Sequence, residues 1–287
     1  EISCSLVGSE MCIRDRYSLA GVGVMACALV IAGCGSDKQS EKAAAPAPSV
    51  TIKVGATPVP HAEILNNVKD VLAKEGIKLE VVEFTDYVQP NLALNDKELD
   101  ANFYQHQPYL DNFNSEHNLK LVSAGAVHLE PMGVYSSKLK DLSGLPDGAK
   151  VAIPNDPTNG GRALLLLKAA GLIDLQKNAG ITATVADIIA NPKGLVFSEL
   201  EAAQLPRAIN DVDIAVINTN YAIDAGMNPT SDALYLESKD SPYANIVVIR
   251  DGDQKRPEIE KLMKALQSES IKKFISDKFK GAIIPAF

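Results

Sequence analysis

No cysteine follows position 34 in this chain of 287 residues; the four are Cys4, Cys12, Cys27 and Cys34. A domain built from the later residues therefore has neither a disulfide nor a thiol nucleophile, and an apolar core must hold it together. Aromatic residues are scarce, at 5%. Basic clusters are missing too. Lys and Arg number 28 against 36 Asp and Glu, for a net charge of −8. The segment through Cys34 holds Arg14 and Arg16 against Glu1, Glu10 and Asp15, which leaves −7 on the remainder. An acidic chain of this kind is a poor partner for nucleic acid. Beyond Cys34 no stretch reaches the ~20 apolar residues that a membrane helix needs. Catalytic patterns are also absent: no Gly-x-Ser-x-Gly elbow, no His-Glu-x-x-His, and no paired metal spacing among His61, His106, His117 and His128. The expectation is a non-enzymatic protein with no catalytic residue, no metal and no cofactor.

What is present begins with an apolar run over 19–32, preceded by Arg14 and Arg16 and ending Ile31-Ala32-Gly33-Cys34. A basic flank, a short apolar core and small residues before a cut describe an export signal. The ending resembles a bacterial lipobox, which implies that Cys34 is lipidated and becomes the first mature residue. The plainer alternative is an ordinary export signal. Residues 1 to about 12 fit no leader, since Glu1 and Glu10 are out of place there, and are read as a non-native lead. Residues 35–49 are polar and Ala/Pro-rich, as in a tether. The remaining ~240 residues suffice for one large domain or two lobes.

Val50, Ile52 and Val54 alternate with polar residues and predict a strand. Residues 55–60 read as a loop. Ile64, Leu65, Val68, Val71 and Leu72 recur at helical spacing, and Gly76 suits a helix end. A second strand over 77–84 completes β-α-β, the signature of a parallel pair. The pattern restarts near Lys150: strands are expected over 151–153, 195–200, 213–217, 233–236 and 246–250. Helical segments are expected over 162–170, 185–190, 201–209 and 221–225, and 257–279 reads as two closing helices. Two successive α/β units suggest two lobes, with crossings near 130–136 and 237–245. Ligands of such folds sit in a crevice at the C-terminal ends of strands.

Three groups of residues could meet a ligand there. The first is Pro-Asn-Asp-Pro-Thr-Asn-Gly-Gly-Arg (154–162), between a strand and a helix. Its glycines allow close backbone approach, a helix start attracts anions, and Arg162 in the first turn offers a carboxylate a bidentate fork. Equally, Thr158 or Asn159 caps the helix and Arg162 pairs with a surface acid. The second group is Tyr104 and His106, with Tyr87 upstream; aromatic walls suit an apolar or thioether side chain, although core packing is the usual use of such residues. Asn218 and Asn245, at strand ends, form the third. They can accept from an ammonium or donate to a carboxylate, or simply cap turns.

At these residues the chain resembles the methionine-binding lipoproteins, the substrate-binding components of methionine ABC importers. The matching pieces follow in family order: Tyr-Val-Gln-Pro-Asn (87–91), Asp-Ala-Asn (100–102), Gln-His-Gln-Pro-Tyr-Leu (105–110), the 154–162 segment, Glu-Ala-x-Gln-Leu-Pro-Arg (201–207), Ala-Val-Ile-Asn-Thr-x-Tyr-Ala (215–222) and Ser-Pro-Tyr-x-Asn (241–245). The resemblance implies an α/β, two-lobed periplasmic-binding-protein fold of type II-like form, each lobe a mixed sheet flanked by helices, with ligand in the inter-lobe cleft. The expected division is 1–33 lead and signal, 34–49 lipidated Cys34 and linker, 50–132 with 241–287 as lobe 1, and 133–240 as lobe 2. It places Tyr87, Tyr104, His106, Arg162, Asn218 and Asn245 at the methionine site, with Arg162 on the carboxylate. Tyr104 departs from an expected Phe, and its hydroxyl would make the pocket more polar or bind a water. The implied protein is a monomer at the cell envelope, anchored through palmitate-type lipid at Cys34. It would deliver L- or D-methionine to permease and ATPase subunits. Another apolar amino acid or a short methionine-containing peptide is the alternative ligand.

Overall fold

A computed structural model describes residues 50–287. Cys34, the signal segment and the tether lie outside the described residues.

The chain opens with β1 (Val50–Ala56), α1 (Glu63–Lys74) and β2 (Ile77–Glu83). Strands β1 and β2 pair in parallel, as the β-α-β pattern requires. Helix α1 buries Ile64, Leu65, Val68 and Leu72 on one face. Val71, counted on that stripe from spacing, instead lies 44% exposed. The expected loop at 55–60 begins two residues later, because Gly55 and Ala56 continue the pairing with β2. Next come α2 (Gln89–Asn95), β3 (Ala101–His106), α3 (Gln107–His117) and β4 (Leu121–Leu129).

The chain then leaves this sheet. The next run is β5 (Gly133–Tyr135), β6 (Lys150–Pro154), α4 (Pro157–Ala169), β7 (Asp174–Leu175), β8 (Ile188–Ala190), β9 (Val196–Leu200), α5 (Leu205–Ala208), β10 (Ile214–Ile217), α6 (Thr219–Asp224), α7 (Pro229–Asp232) and β11 (Tyr235–Leu236). It returns with β12 (Ala244–Arg250), α8 (Pro257–Leu266), α9 (Glu269–Phe279) and β13 (Ile284–Pro285).

Two mixed sheets result. One runs β13-β4-β12-β3-β1-β2, the other β11-β5-β10-β6-β9. In the first, β1 is parallel to β2 and β3, while β12 runs antiparallel to β3 and β4. In the second, β6 is parallel to β10 and β9, and β5 is antiparallel to β10. Each sheet has its own apolar core. Ile52, Val54, Phe103 and Val247 meet Leu65, Leu262 and Ile275 in one; Val151, Ile153, Ile214 and Val216 meet Leu164 and Leu167 in the other. This is a two-lobed α/β fold, and the segments 130–132 and 237–243 join its sheets.

One expected helix is not formed. Residues 185–190 make a single 3-10 turn, Val185–Asp187, and then β8. The Asp187 carboxylate accepts from both the backbone N–H and the hydroxyl of Thr184, closing a capping box at that turn. Ile188 then pairs with Leu175, where β-branched residues are favoured. Pro192 two positions on forbids helix continuation.

Candidate functional site

Helix α4 begins earlier than its apolar spacing suggests. Asp156 is its N-cap and accepts from the Asn159 N–H at 2.9 Å. Pro157 follows at the first helical position, where its missing N–H costs nothing. Arg162 is therefore the sixth helical residue and sits in the second turn, not the first. The helix start is satisfied by the chain's own Asp156 and does not face a ligand anion. The two glycines also serve the protein. A Cβ on Gly160 would meet the Pro154 carbonyl oxygen at 2.9 Å, and one on Gly161 would collide with the Ile181 carbonyl. They admit neighbouring backbone, not ligand.

The second turn carries Arg162 into a cavity whose walls come from both sheets. Tyr87, Tyr104, His106, Tyr109 and Asn245 belong to the first; Asn159, Arg162, Asn218 and Asn220 belong to the second. The six residues named from sequence all line it. The cavity is tight in this structure: its free volume is about 20 Å³, on the order of the space one water needs.

Arg162 is 3% exposed. Its Nε and Nη2 donate to the Glu237 carboxylate at 3.0 and 2.5 Å, and Nη2 also donates to the Glu130 carbonyl at 2.7 Å. It thus ties together both segments that cross between the sheets. The guanidinium stacks 4.3 Å from the Tyr243 ring centroid. Nη1 makes no hydrogen bond among the described residues and can donate into the cavity.

Tyr87 is held from below and from across. Its carbonyl accepts from the hydroxyls of Tyr104 at 2.8 Å and Tyr109 at 2.9 Å. Its own hydroxyl donates to Asn220 Oδ1 at 2.5 Å, and its ring lies 4.9 Å from that of Tyr221. The Tyr104 hydroxyl thus spends its proton on fastening Tyr87. Burial raises the Tyr87 and Tyr104 hydroxyls well above their ordinary pKa, so both stay neutral donors.

His106 ends β3 and caps α3, accepting from the Tyr109 N–H at Nδ1. Its proton consequently sits on Nε2, which donates to Asn159 Oδ1 at 3.2 Å. Burial, helped by Arg162, lowers its pKa to about 3. Asn218 follows β10 and donates from Nδ2 to the same Asn159 oxygen at 2.9 Å. Its Oδ1 is buried with no hydrogen-bond partner. Asn245 stands inside β12, opposite His106, and not before the strand as spacing implied.

Sequence reasoning missed the cluster beneath this cavity. Glu130 Oε1 lies 2.7 Å from His128 Nε2 and 3.2 Å from His61 Nε2, and Oε2 accepts from the Asn220 N–H at 3.0 Å. His61 Nε2 also reaches Asn245 Oδ1 at 3.0 Å, while Nδ1 takes the Thr57 hydroxyl at 2.7 Å. Burial lowers His61 to about 4 and His128 to about 3. Burial also raises Glu130, against the pull of His61 and Arg162. By distance alone these three side chains could hold a cation. In this structure both imidazole Nε2 atoms lie within hydrogen-bonding reach of Glu130 Oε1, and the cluster supports a buried carboxylate. His128 and Glu130 lie two residues apart at the end of β4, but His61 comes from a distant segment, so spacing alone does not bring the three together. The motif residues Asn91, Asn102 and Gln105 form a second buried amide network, with Asn102 Nδ2 and Gln105 Nε2 donating to Asn91 Oδ1 at 2.8 and 2.6 Å. It pins α2 to β3 behind the tyrosines.

The model of the NlpA lipoprotein family matches residues 52–287. The D-methionine-binding lipoprotein MetQ of Salmonella typhimurium is 42% identical over 271 residues, covering 93% of this chain and 97% of that protein. Among solved structures, a nutrient binding protein from Burkholderia cenocepacia bound to methionine superposes with a TM-score of 0.80 at 52% identity, over 82% of this chain and all of the other. A periplasmic substrate-binding protein of an ABC transporter from Coxiella burnetii gives a TM-score of 0.79 at 44% identity, with coverage of 82% and 100%. With most of its length matched at this level, and with its motifs in the same order, the chain belongs to the NlpA lipoprotein family, alongside the methionine-binding lipoproteins that it resembles.

Proposed function

We propose that this protein is the substrate-binding component of an ABC importer and that it captures methionine between its two lobes. Its lobes are residues 50–132 with 241–287, and residues 133–240. The observation that carries the reading is the division of one cavity into two chemistries. Tyr87, Tyr104 and His106 offer aromatic surface for a thioether, with sulfur–aromatic contacts of about 0.3–1.5 kcal/mol each. Arg162 Nη1 offers a donor to the carboxylate. Asn218 Oδ1 and the Glu130 carboxylate offer acceptors to the ammonium, with Asn245 beside them. A zwitterion with an apolar side chain satisfies all of these at once. Ligand contact with both lobes favours the closed state, and permease and ATPase subunits complete the transport. The protein performs no chemistry on its cargo.

Mass spectrometry of ligand released from denatured, freshly purified protein identifies the cargo, and calorimetric competition ranks it. Methionine should displace the native ligand far better than alanine or glutamate. Equal competition by glutamate would end this reading, and preferential binding of a methionine-containing peptide would replace it with the peptide alternative.

The protein is further proposed to act as a monomer held at the envelope membrane by lipid on Cys34. The supporting observations are the Ile-Ala-Gly-Cys ending and relatives named as lipoproteins. Multiple acyl chains anchor stably where one does not. Cys34→Ser should move the protein from the membrane fraction to the soluble one; firm retention would place the anchor elsewhere.

A further inference from the structure

The amide of Asn218 does not choose its own orientation. The chain of hydrogen bonds that fixes it begins at Asp156. A carboxylate can only accept, and both Asp156 oxygens receive Asn159 Nδ2, at 3.0 and 2.9 Å. The Thr158 hydroxyl and the Asn159 N–H converge on the same group at 3.0 and 2.9 Å. With Nδ2 committed to Asp156, Asn159 must turn Oδ1 the other way. There it accepts from His106 Nε2 and Asn218 Nδ2, at 3.2 and 2.9 Å. The His106 tautomer is set independently, because its Nδ1 accepts the Tyr109 N–H. Asn218 then has no freedom left: Nδ2 faces Asn159, and Oδ1 is left buried and unpartnered beside the cavity. Reversing any amide in this chain sets donor against donor or acceptor against acceptor.

We infer that Asp156 and Asn159 are positioning residues that fix the polarity of Asn218, so that the cavity presents an acceptor and selects ligands carrying a cationic amine. Neither residue is among the six expected at the methionine site, although both lie in the 154–162 segment and Asn159 lines the cavity. The inference rests on the amino-acid reading above and deepens it: the preferred cargo has a free ammonium, and an otherwise identical acid without one is rejected. Asp156 thus acts on ligand selection through two intervening side chains. The acceptor at Asn218 depends on the Asp156 carboxylate, because an Asn side chain free to turn would present either of its ends.

The test compares methionine with 4-(methylthio)butanoate, which keeps the thioether and the carboxylate and lacks the amine. Calorimetry on the purified full chain gives the ratio of their dissociation constants. In the parent, methionine should bind at least about 100-fold more tightly. Asp156→Asn keeps a good helix N-cap, so the fold is retained, but its amide can donate to Asn159 and release the chain of orientations. The ratio should then fall about tenfold or more, while affinity for the des-amino acid stays within about threefold. The double variant Asp156→Asn with Asn218→Asp supplies an acceptor whichever way the group turns, and Asn159 is free to donate to it. It should restore the ratio to within about threefold of the parent. A merely structural role for Asp156 would weaken both ligands alike, and that result overturns the inference. So does an unchanged ratio in folded Asp156→Asn, or a parent that binds both ligands equally. A parent that binds the des-amino acid but not methionine overturns the amino-acid reading itself, which is a different outcome from any of these.

Discussion

The two walls of the cavity are built from opposite materials. The first-sheet wall is aromatic: Tyr87, Tyr104, Tyr109 and His106, with ring centroids 5.8–6.3 Å apart and their polar atoms turned onto backbone and neighbouring amides. The second-sheet wall is a lattice of amides around one guanidinium: Asn159, Asn218, Asn220 and Arg162. The first wall leaves apolar ring surface toward the ligand. The second leaves individual unpaired atoms, Arg162 Nη1 and Asn218 Oδ1. A surface tolerates variation in ligand shape, whereas single buried atoms demand a partner of the right polarity. The second wall should therefore dominate affinity for the amino-acid end, and the first should tune retention.

The strongest way to break this contrast is Arg162→Ala. Removing a buried partner of a charged ligand costs about 2–5 kcal/mol, or roughly 30-fold to several thousand-fold in affinity for methionine. Arg162→Lys should also bind worse, since a compact ammonium cannot reproduce the planar fork that spans Glu237 and the Glu130 carbonyl. Arg207, which lines a separate groove beside Asp86 and Tyr221, is the control, and its Ala variant should bind normally. If folded Arg162→Ala stayed within about twofold of the parent by calorimetry, the carboxylate would face another group.

Acid sharpens the contrast from the other side. His61, His106 and His128 all serve the first sheet's side of the site, and burial holds them near pKa 4, 3 and 3. In the unfolded chain each titrates near 6.5. The unfolded state therefore binds protons that the folded state refuses. The stability this represents is fully present above pH 6.5 and is lost as pH falls from there toward 3–4. Glu130, raised by burial, takes up a proton on the way down and offsets part of the loss. The net expectation is a fall of about 2–4 kcal/mol between pH 7 and pH 5, read from urea melts at the two values. Constant stability over that interval would mean that these imidazoles are solvated or charged in the folded protein.

The smallest effects belong to the tyrosine hydroxyls. Tyr87→Phe removes the bond to Asn220 that joins the two walls, worth about 0.5–1.5 kcal/mol. It should raise the methionine dissociation constant by about two- to tenfold, chiefly through faster release in stopped-flow. Tyr104→Phe should change it less, by under about threefold, because Tyr109 still donates to the Tyr87 carbonyl. A larger loss from Tyr104→Phe than from Tyr87→Phe would show that the Tyr104 hydroxyl meets the ligand directly.

Much of this arrangement was legible before any coordinates. Alternation at Val50, Ile52 and Val54, helical spacing from Ile64 to Leu72 and the strand after Gly76 predicted the opening parallel pair. The motif matches gave the family, and the six residues drawn from them meet in one cavity. Local rules failed where tertiary partners decided. Residues 188–190 became a strand because Asp174 and Leu175 were there to pair with them. Gly160 and Gly161 looked like ligand-facing glycines until the carbonyls of Pro154 and Ile181 proved to be what they accommodate. Tyr104 looked like a polar intrusion until its hydroxyl was found on the Tyr87 carbonyl.

By itself, the sequence determined the α/β class, the family and the residue types that a zwitterion needs, because periodicity and ordered motifs are properties of the chain read in a line. Only the tertiary structure decided which atoms of those residues remain available. Glu130 is buried against its near neighbour His128 and the sequence-distant His61, Arg162 is shared with both crossing segments, and Asn218 is turned by an aspartate it never touches. Hydrogen-bond polarity is a property of neighbours in space. A side chain's spare donor or acceptor is whatever its packed surroundings leave unpaired.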